Sequence, residues 1–274
     1  MTEYNYSTFN AKHERGLFAA ELAETLLPLL QSPDSYIDRG KMLKDSVSTK
    51  VALVELADKK TVFIKRYNNK SLRYTLRYLF RATRPFRVFN AVQRLKQLNI
   101  PTPDILAVLS QRDIWHIPHG SYVIHEYWDH CLTTAEYCHL LYQQPELKQQ
   151  FCRNITGYLA AMHRNGMRHN DIKLSNICCR QHDTTFTFGL WDLDGIMMFK
   201  QPYISKKFIH RDLARLISSW LIQGEAMQCN LNRETETEQF ITAYREQNDF
   251  SCNRQQLDSA IDNFISRKRR KERR

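Results

Sequence analysis

The chain has 274 residues, 42% of them hydrophobic, and a formal net charge of +11 at neutral pH. That is enough apolar material for one large domain or two closely packed lobes, and it excludes a disordered tail. Seven cysteines, odd in number and with no Cys-x-x-Cys pair, argue against a disulfide framework and for reduced thiols in the cytoplasm. His116, His119, His125 and His130 lack the spaced cysteine partners of a zinc site.

In chain order, the apolar stretch Leu17–Leu30 carries Glu21, Glu24 and Pro28, too short and too charged to span a bilayer. It reads as an amphipathic surface helix packed against the domain. Val51–Leu56 and Thr61–Lys65 are β-rich runs joined by Ala57-Asp58-Lys59-Lys60, which predicts a hairpin. A helix is expected over Ser71–Ala82, and Pro85 is placed to open another that ends before Pro101 and Pro103. Ile105–Leu109 and Ser121–Tyr127 read as further strands. Gln149–Asn165 sets Phe151, Ile155, Leu159 and Met162 on one helical face. A loop at 169–176 follows, then strands at Ile177–Arg180 and up to Trp191, and helices at 209–223, 235–247 and 254–267. Strands early and helices late predict an α+β fold of two lobes, 1–127 and 128–266, followed by a basic tail, 267–274.

Charge is placed unevenly. Lys59–Pro103 holds twelve Lys and Arg and no acidic residue, and Arg267–Arg274 holds seven basic residues beside Glu272. The rest of the chain is net acidic. Two basic patches on an acidic protein imply a localised polyanionic partner.

The chemistry concentrates in His169-Asn170-Asp171-Ile172-Lys173-Leu174-Ser175-Asn176, with the spacing H-x-D-x-K-x-x-N. Phosphoryl transfer to a hydroxyl needs a carboxylate beside the nucleophile, a cation near the transferring group and an oxygen ligand for Mg²⁺. Asp171, Lys173 and Asn176 supply the three in order. Further on, Trp191-Asp192-Leu193-Asp194-Gly195 closes an apolar strand with two carboxylates that could hold the metal. Asp194 is either a second metal ligand or a solvated loop carboxylate.

This combination resembles the protein kinases and their small-molecule relatives over nearly the whole chain. The resemblance implies ATP and Mg²⁺ as cofactors and casts Lys65 as the strand lysine that holds the α- and β-phosphates. It makes Asp192 the metal-binding Asp of a D-F-G motif, here D-L-D. It also places Glu126 and Trp128 where backbone meets adenine, and suggests that Asp212 supports the catalytic loop. The segment matching the glycine-rich loop is Asp45-Ser46-Val47-Ser48-Thr49-Lys50-Val51, so Ser46, Ser48 and Thr49 would cover phosphates, on a loop stiffer than one built of glycine.

Other departures narrow the function. Asn170 replaces the Arg of H-R-D, which argues against control by a phosphorylated activation loop. The stretch between Asp192 and Asp212 is short and contains no A-P-E, so the peptide platform of protein kinases is missing. No acidic residue lies between Asp58 and Asp104 to pair with Lys65.

The closer resemblance is to the bacterial lipopolysaccharide core kinases, the Kdo/WaaP family with its InaA-like branch. It is carried by Phe63-Ile64-Lys65-Arg66-Tyr67, Arg84-Pro85-Phe86-Arg87-Val88-Phe89-Asn90-Ala91, Leu98-Asn99-Ile100-Pro101-Thr102-Pro103 and Trp191-Asp192-Leu193-Asp194. It implies phosphorylation of a heptose or Kdo on lipopolysaccharide, or of a lipid-linked sugar, at the cytoplasmic face of the inner membrane. Arg73, Arg77 and Arg81 repeat at helical spacing beside Leu72, Leu76, Leu79 and Phe80, a pattern suited to an anionic membrane surface or to packing on the sheet with the Arg face solvated. The tail reads as membrane attraction or a frayed helix end; nucleic acid is the weakest reading, because no aromatics interleave the charges. Alternatives left open are a protein Ser/Thr kinase, another small-molecule phosphotransferase, and a membrane-associated pseudokinase.

Overall fold

The computed structural model describes residues 3–68, 83–112 and 118–272. The chain divides into two compact units, 1–94 with 103–128, and 95–102 with 129–274. The expected helix over Ser71–Ala82 lies outside the described residues.

The first unit is built on a seven-stranded antiparallel sheet. Its strands are β1 (Tyr6–Ala11), β2 (Glu14–Ala19), β3 (Lys41–Asp45), β4 (Thr49–Glu55), β5 (Thr61–Asn68), β6 (Ile105–Arg112) and β7 (Pro118–Glu126), in the spatial order β1-β2-β6-β7-β5-β4-β3. The hairpin β4–β5 forms as its sequence predicts, with Val51 opposite Lys65 and Glu55 opposite Thr61. Alternation puts Ala52, Val54, Val62 and Ile64 on one face, where they pack with Leu26, Leu29, Leu30 and Ile37.

One expectation for this unit changes. Leu17–Ala19 belongs to β2, paired through Leu17 and Val108 to β6, and the helix is confined to Ala23–Gln31. That helix packs against the domain as expected of an amphipathic one: Leu26, Leu29 and Leu30 are fully buried against the sheet, while Glu24 and Pro28 are exposed. An unbroken apolar run does not reveal where a strand hands over to a helix.

In the second unit, helices Thr134–Gln143, Pro145–Arg164, Lys206–Ala226, Arg233–Arg245 and Arg254–Glu272 surround an aromatic core. Phe151 meets Phe188 edge-on at 5.1 Å and stacks on Trp220 at 5.8 Å, and Phe240 closes on Trp220. Glu236 accepts hydrogen bonds from the Trp220 indole and from Lys148, so this buried carboxylate has partners. Helix Thr134–Gln143, absent from the sequence reading, announces itself through a capping box: Thr133 accepts from Glu136 N–H while the Glu136 carboxylate accepts from Thr133 N–H. The basic tail is not a frayed end as far as Glu272. It continues the last helix, and Arg269 reaches both oxygens of Glu225.

A small three-stranded sheet in this unit joins β8 (Cys131–Leu132), β10 (Ile177–His182) and β11 (Thr185–Leu190). A two-residue ladder pairs β9 (Met167–Arg168) with β12 (Met197–Met198). Among the described residues, no helix is long and apolar enough to cross a membrane.

Candidate active site

Helix Pro145–Arg164 ends at Asn165, and Gly166 turns the chain with φ +65. A side chain there would suffer the left-handed backbone and collide with the Gln201 carbonyl, so glycine is required. The chain then runs through β9 into the loop 169–176.

This loop is gripped by one stripe of helix Lys206–Ala226. Asp212, Arg215 and Ser219 stand at i, i+3 and i+7, so they share a face. Asp212, fully buried, accepts the backbone N–H groups of His169 (3.0 Å) and Asn170 (3.2 Å), and Arg168 Nε at 3.1 Å. His163 Nε2 lies 3.4 Å from it, and the other His163 nitrogen is 2.8 Å from the Tyr244 hydroxyl. Burial alone would raise the Asp212 carboxyl. The His163 contact and the charges of His163 and Arg168 outweigh it and hold the group below its usual range. Ser219 Oγ accepts from Leu174 N–H at 2.8 Å, and the Tyr137 hydroxyl donates to the Leu174 carbonyl.

Within this frame Asp171, Lys173 and Asn176 converge. Lys173 Nζ is 3.5 Å from Asp171 Oδ2, and Asn176 Nδ2 donates to the Asp171 carbonyl (3.0 Å) and to Oδ2 (3.3 Å). Arg215 forms an ion pair with Asp171 Oδ1. The Asp171, Lys173 and Arg215 side chains are each about a third exposed, so reactants can reach them.

Asp192 is brought beside this group by the β10–β11 ladder. Ile177 pairs with Leu190, and Trp191 N–H continues the pairing to the Asn176 carbonyl at 3.1 Å. The Trp191 indole also donates to the Ser175 carbonyl at 2.9 Å. Asp192 therefore follows directly on the residue bonded to Asn176. Both Asn170 (φ 62) and Asp192 (φ 51) are left-handed, a conformation that costs of order 1–3 kcal/mol in a non-glycine residue and clusters at functional sites.

The donor set suits a hard cation. Asn176 turns its amide nitrogen to Asp171, which leaves its Oδ1 available to a cation, and the carboxylates of Asp192 and Asp194 lie on the turn that follows Trp191. No group of three or more His, Cys, Asp or Glu residues forms a metal cage among the described residues. Mg²⁺ fits such a partial set, because it binds through one or two carboxylates, waters and substrate phosphates.

The segment after Asp192 is latched to the loop's approach. Met197 and Met198 pair with Arg168 and Met167, Phe199 N–H donates to the Gly166 carbonyl at 2.8 Å, and Ile204 N–H to the His163 carbonyl at 3.3 Å. Gly195 passes so close that a Cβ would stand 3.2 Å from Asp171 Cβ.

The remaining predicted residues lie together in the first unit. Lys65 sits on β5 between Val51 and Val123, with its ammonium 5.5 Å from the Tyr67 ring centre. Ser46, Ser48 and Thr49 occupy the β3–β4 turn, whose exposed tip is Val47. Their hydroxyls are engaged with one another: Ser46 Oγ lies 3.4 Å from Ser48 Oγ and 3.2 Å from Thr49 Oγ1, and it accepts from Thr49 N–H. Asn68 Nδ2 braces the turn at the Val47 carbonyl, 3.3 Å away. Glu126 ends β7, donating its N–H to the Asp104 carbonyl and accepting the Trp128 indole at 3.2 Å.

Sequence reading missed Arg215, Arg168 and the His163–Tyr244 pair. Only Arg215 left a usable trace, its i+3 spacing from Asp212.

A search against curated proteins returns no match. Among solved structures, a similar one is described as WaaP in complex with acyl carrier protein, at 17% identity and TM-score 0.60, covering 90% of this chain and 95% of that one. At that identity the likeness shows the fold, a protein-kinase-like one. The model of the lipopolysaccharide kinase (Kdo/WaaP) family matches residues 33–244, which include both the β4–β5 hairpin and the whole loop 169–176. By that match, this chain belongs to the lipopolysaccharide kinase (Kdo/WaaP) family.

Proposed function

We propose that the protein is an ATP- and Mg²⁺-dependent kinase that phosphorylates a sugar hydroxyl, heptose or Kdo, of the lipopolysaccharide inner core at the cytoplasmic face of the inner membrane. The observation that carries this reading is the convergence of Lys173 and Asn176 on Asp171, with Asp192 delivered alongside by the β10–β11 ladder. Asp171 orients the acceptor hydroxyl and takes its proton. Lys173 leaves Asp171 for the transferring phosphoryl group. Asn176 and Asp192 would hold Mg²⁺, with Asp194 as a further ligand, and the ion would neutralise charge on the phosphates. Lys65, in the other unit, would hold the α- and β-phosphates. The turn of Ser46, Ser48 and Thr49 would cover them, chiefly through its backbone, and the stretch Glu126–Trp128 would receive adenine.

A sugar is favoured over a peptide because the stretch after Asp192 is short and spent on the ladder to β9. Residues 69–82, with their row of arginines, lie outside the described residues; their composition supports attraction to anionic lipid. Acyl carrier protein, the partner of the structural neighbour, is proposed as a partner here as well, testable by co-purification.

Labelled ATP and core lipopolysaccharide isolated from a strain lacking the protein provide the test. Phosphate should enter the core with wild-type protein, and Asp171→Ala should abolish transfer while leaving the circular dichroism spectrum unchanged. Equal incorporation by that variant would refute the reading.

A further inference from the structure

Three residues of helix Lys206–Ala226 grip the catalytic loop, but they do not grip it alike. Asp212 and Ser219 hold backbone N–H groups, of His169, Asn170 and Leu174. Arg215, between them on the same stripe, holds the side-chain carboxylate of Asp171. A surface ion pair of this exposure contributes little to stability, roughly 0–1 kcal/mol, so fold maintenance is a weak reason for it.

The geometry gives a better reason. Arg215 takes Oδ1, and Lys173 and Asn176 approach Oδ2. A carboxylate pinned at one oxygen cannot spin about its bond to Cβ, so the other oxygen keeps a fixed direction toward an incoming hydroxyl. In a loose phosphoryl-transfer transition state little proton transfer is needed, and orientation outweighs basicity. Lys173, at 3.5 Å, is the weaker contact and is free to move to a phosphate, whereas Arg215 is backed from behind. The Phe264 ring, on helix Arg254–Glu272, lies 5.2 Å from its guanidinium carbon. Phe264 falls outside the residues matched by the family model, so this backing belongs to the present chain's own C-terminal helix.

We propose that Arg215 is a positioning residue that fixes the Asp171 carboxylate for attack by the acceptor hydroxyl, and that Phe264 fixes Arg215. This rests on the reading of Asp171 as the residue that orients the acceptor. The bond changes are those of the kinase step: the acceptor oxygen forms a P–O bond, the ADP oxygen leaves, and the acceptor proton passes to Asp171 Oδ2.

The test measures transfer from labelled ATP to two acceptors, core lipopolysaccharide and water, for full-length wild type, Asp171→Ala, Arg215→Ala, Arg215→Lys and Phe264→Ala. Arg215→Ala should lower kcat about 10²-fold, the scale of a misplaced catalytic group, while KM for ATP stays within about twofold. Arg215→Lys should recover part of the loss, as should guanidinium ion added to Arg215→Ala. Phe264→Ala should lower kcat about two- to fivefold, the scale of one exposed cation–π contact. Wild-type kcat in Arg215→Ala overturns the inference, as does a loss that follows unfolding and resists guanidinium. If Asp171→Ala is dead toward lipopolysaccharide but Arg215→Ala is not, the inference fails and the proposed function stands. If lipopolysaccharide is refused but hydrolysis of ATP depends on Arg215 in this way, the reverse holds. A wild-type protein inert toward both acceptors overturns both.

Discussion

Two aspartates organise the site by opposite means. Asp171 is partly exposed, whereas Asp212 is sealed and holds backbone. Removing the charge in Asp212→Asn strands Arg168 and loosens two backbone bonds, and breaking a buried pair in this way costs about 3–5 kcal/mol. Urea unfolding should show that loss. The depressed Asp212 carboxyl contributes stability that is present above its unfolded-state value near 3.8 and disappears as pH falls through the lower folded value. His169 acts earlier on the same scale. Burial pushes its imidazole down, and neither ring nitrogen has a hydrogen-bond partner among the described residues. Its unfolded form binds a proton below about pH 6.5 when the folded form does not, so stability should fall as pH drops through that window. Plotted against pH, the unfolding free energy of His169→Phe should be flatter there than wild type; equal slopes would contradict the assignment. Asp171, Lys173 and Asn176 were legible in the sequence because they fall within one eight-residue motif, in a fixed order. Arg215 was legible only as a helical neighbour of Asp212, because its role depends on a helix face that only the fold turns toward the loop.

At the scale of elements, the catalytic loop is held from two sides, by helix Lys206–Ala226 and by the β9–β12 ladder. Arg168 is spent inside this arrangement on Asp212 and the Phe208 ring, and Asn170 stands where a kinase controlled by activation-loop phosphorylation carries its phosphate-binding Arg. The latch is therefore built from backbone bonds and needs no phosphate. Gly166→Ala should spring it: the Gln201 carbonyl must move, the left-handed turn is penalised, and a loss of about 1–3 kcal/mol is expected. Hydrogen exchange at Phe199 and Ile204 should rise with it, and unchanged protection at both would speak against the latch. The hairpin β4–β5 and the late helices were legible because periodicity and turn residues agree there. The N-terminal hairpin β1–β2 was not, since its pairing to β6 is set by residues nearly a hundred positions away. The last helix was cut short because its basic tail was taken as frayed, whereas Glu225 gives Arg269 an ion-pair partner on the exposed surface.

For the whole molecule, charge and fold point the same way. The stretch Lys59–Pro103 concentrates twelve basic residues, and each Lys or Arg near an anionic surface is worth about 1 kcal/mol. Replacing Arg73, Arg77 and Arg81 together by Ala should weaken binding to vesicles containing anionic lipid about 10²-fold at low salt, while wild-type binding should itself fade as salt rises. Sedimentation with vesicles would check this, and salt-independent binding would count against an electrostatic contact. The family was legible from the joint order of short motifs, none of them specific alone. The acceptor was not, because substrate-contacting loops carry no code in their sequence. The most direct measurement is the mass of the inner-core oligosaccharide from a strain lacking this protein, complemented with wild type or with Asp171→Ala. The core should lack a phosphate in the deletion strain, regain it with wild type and remain without it with the variant; a fully phosphorylated core in the deletion strain would contradict the account.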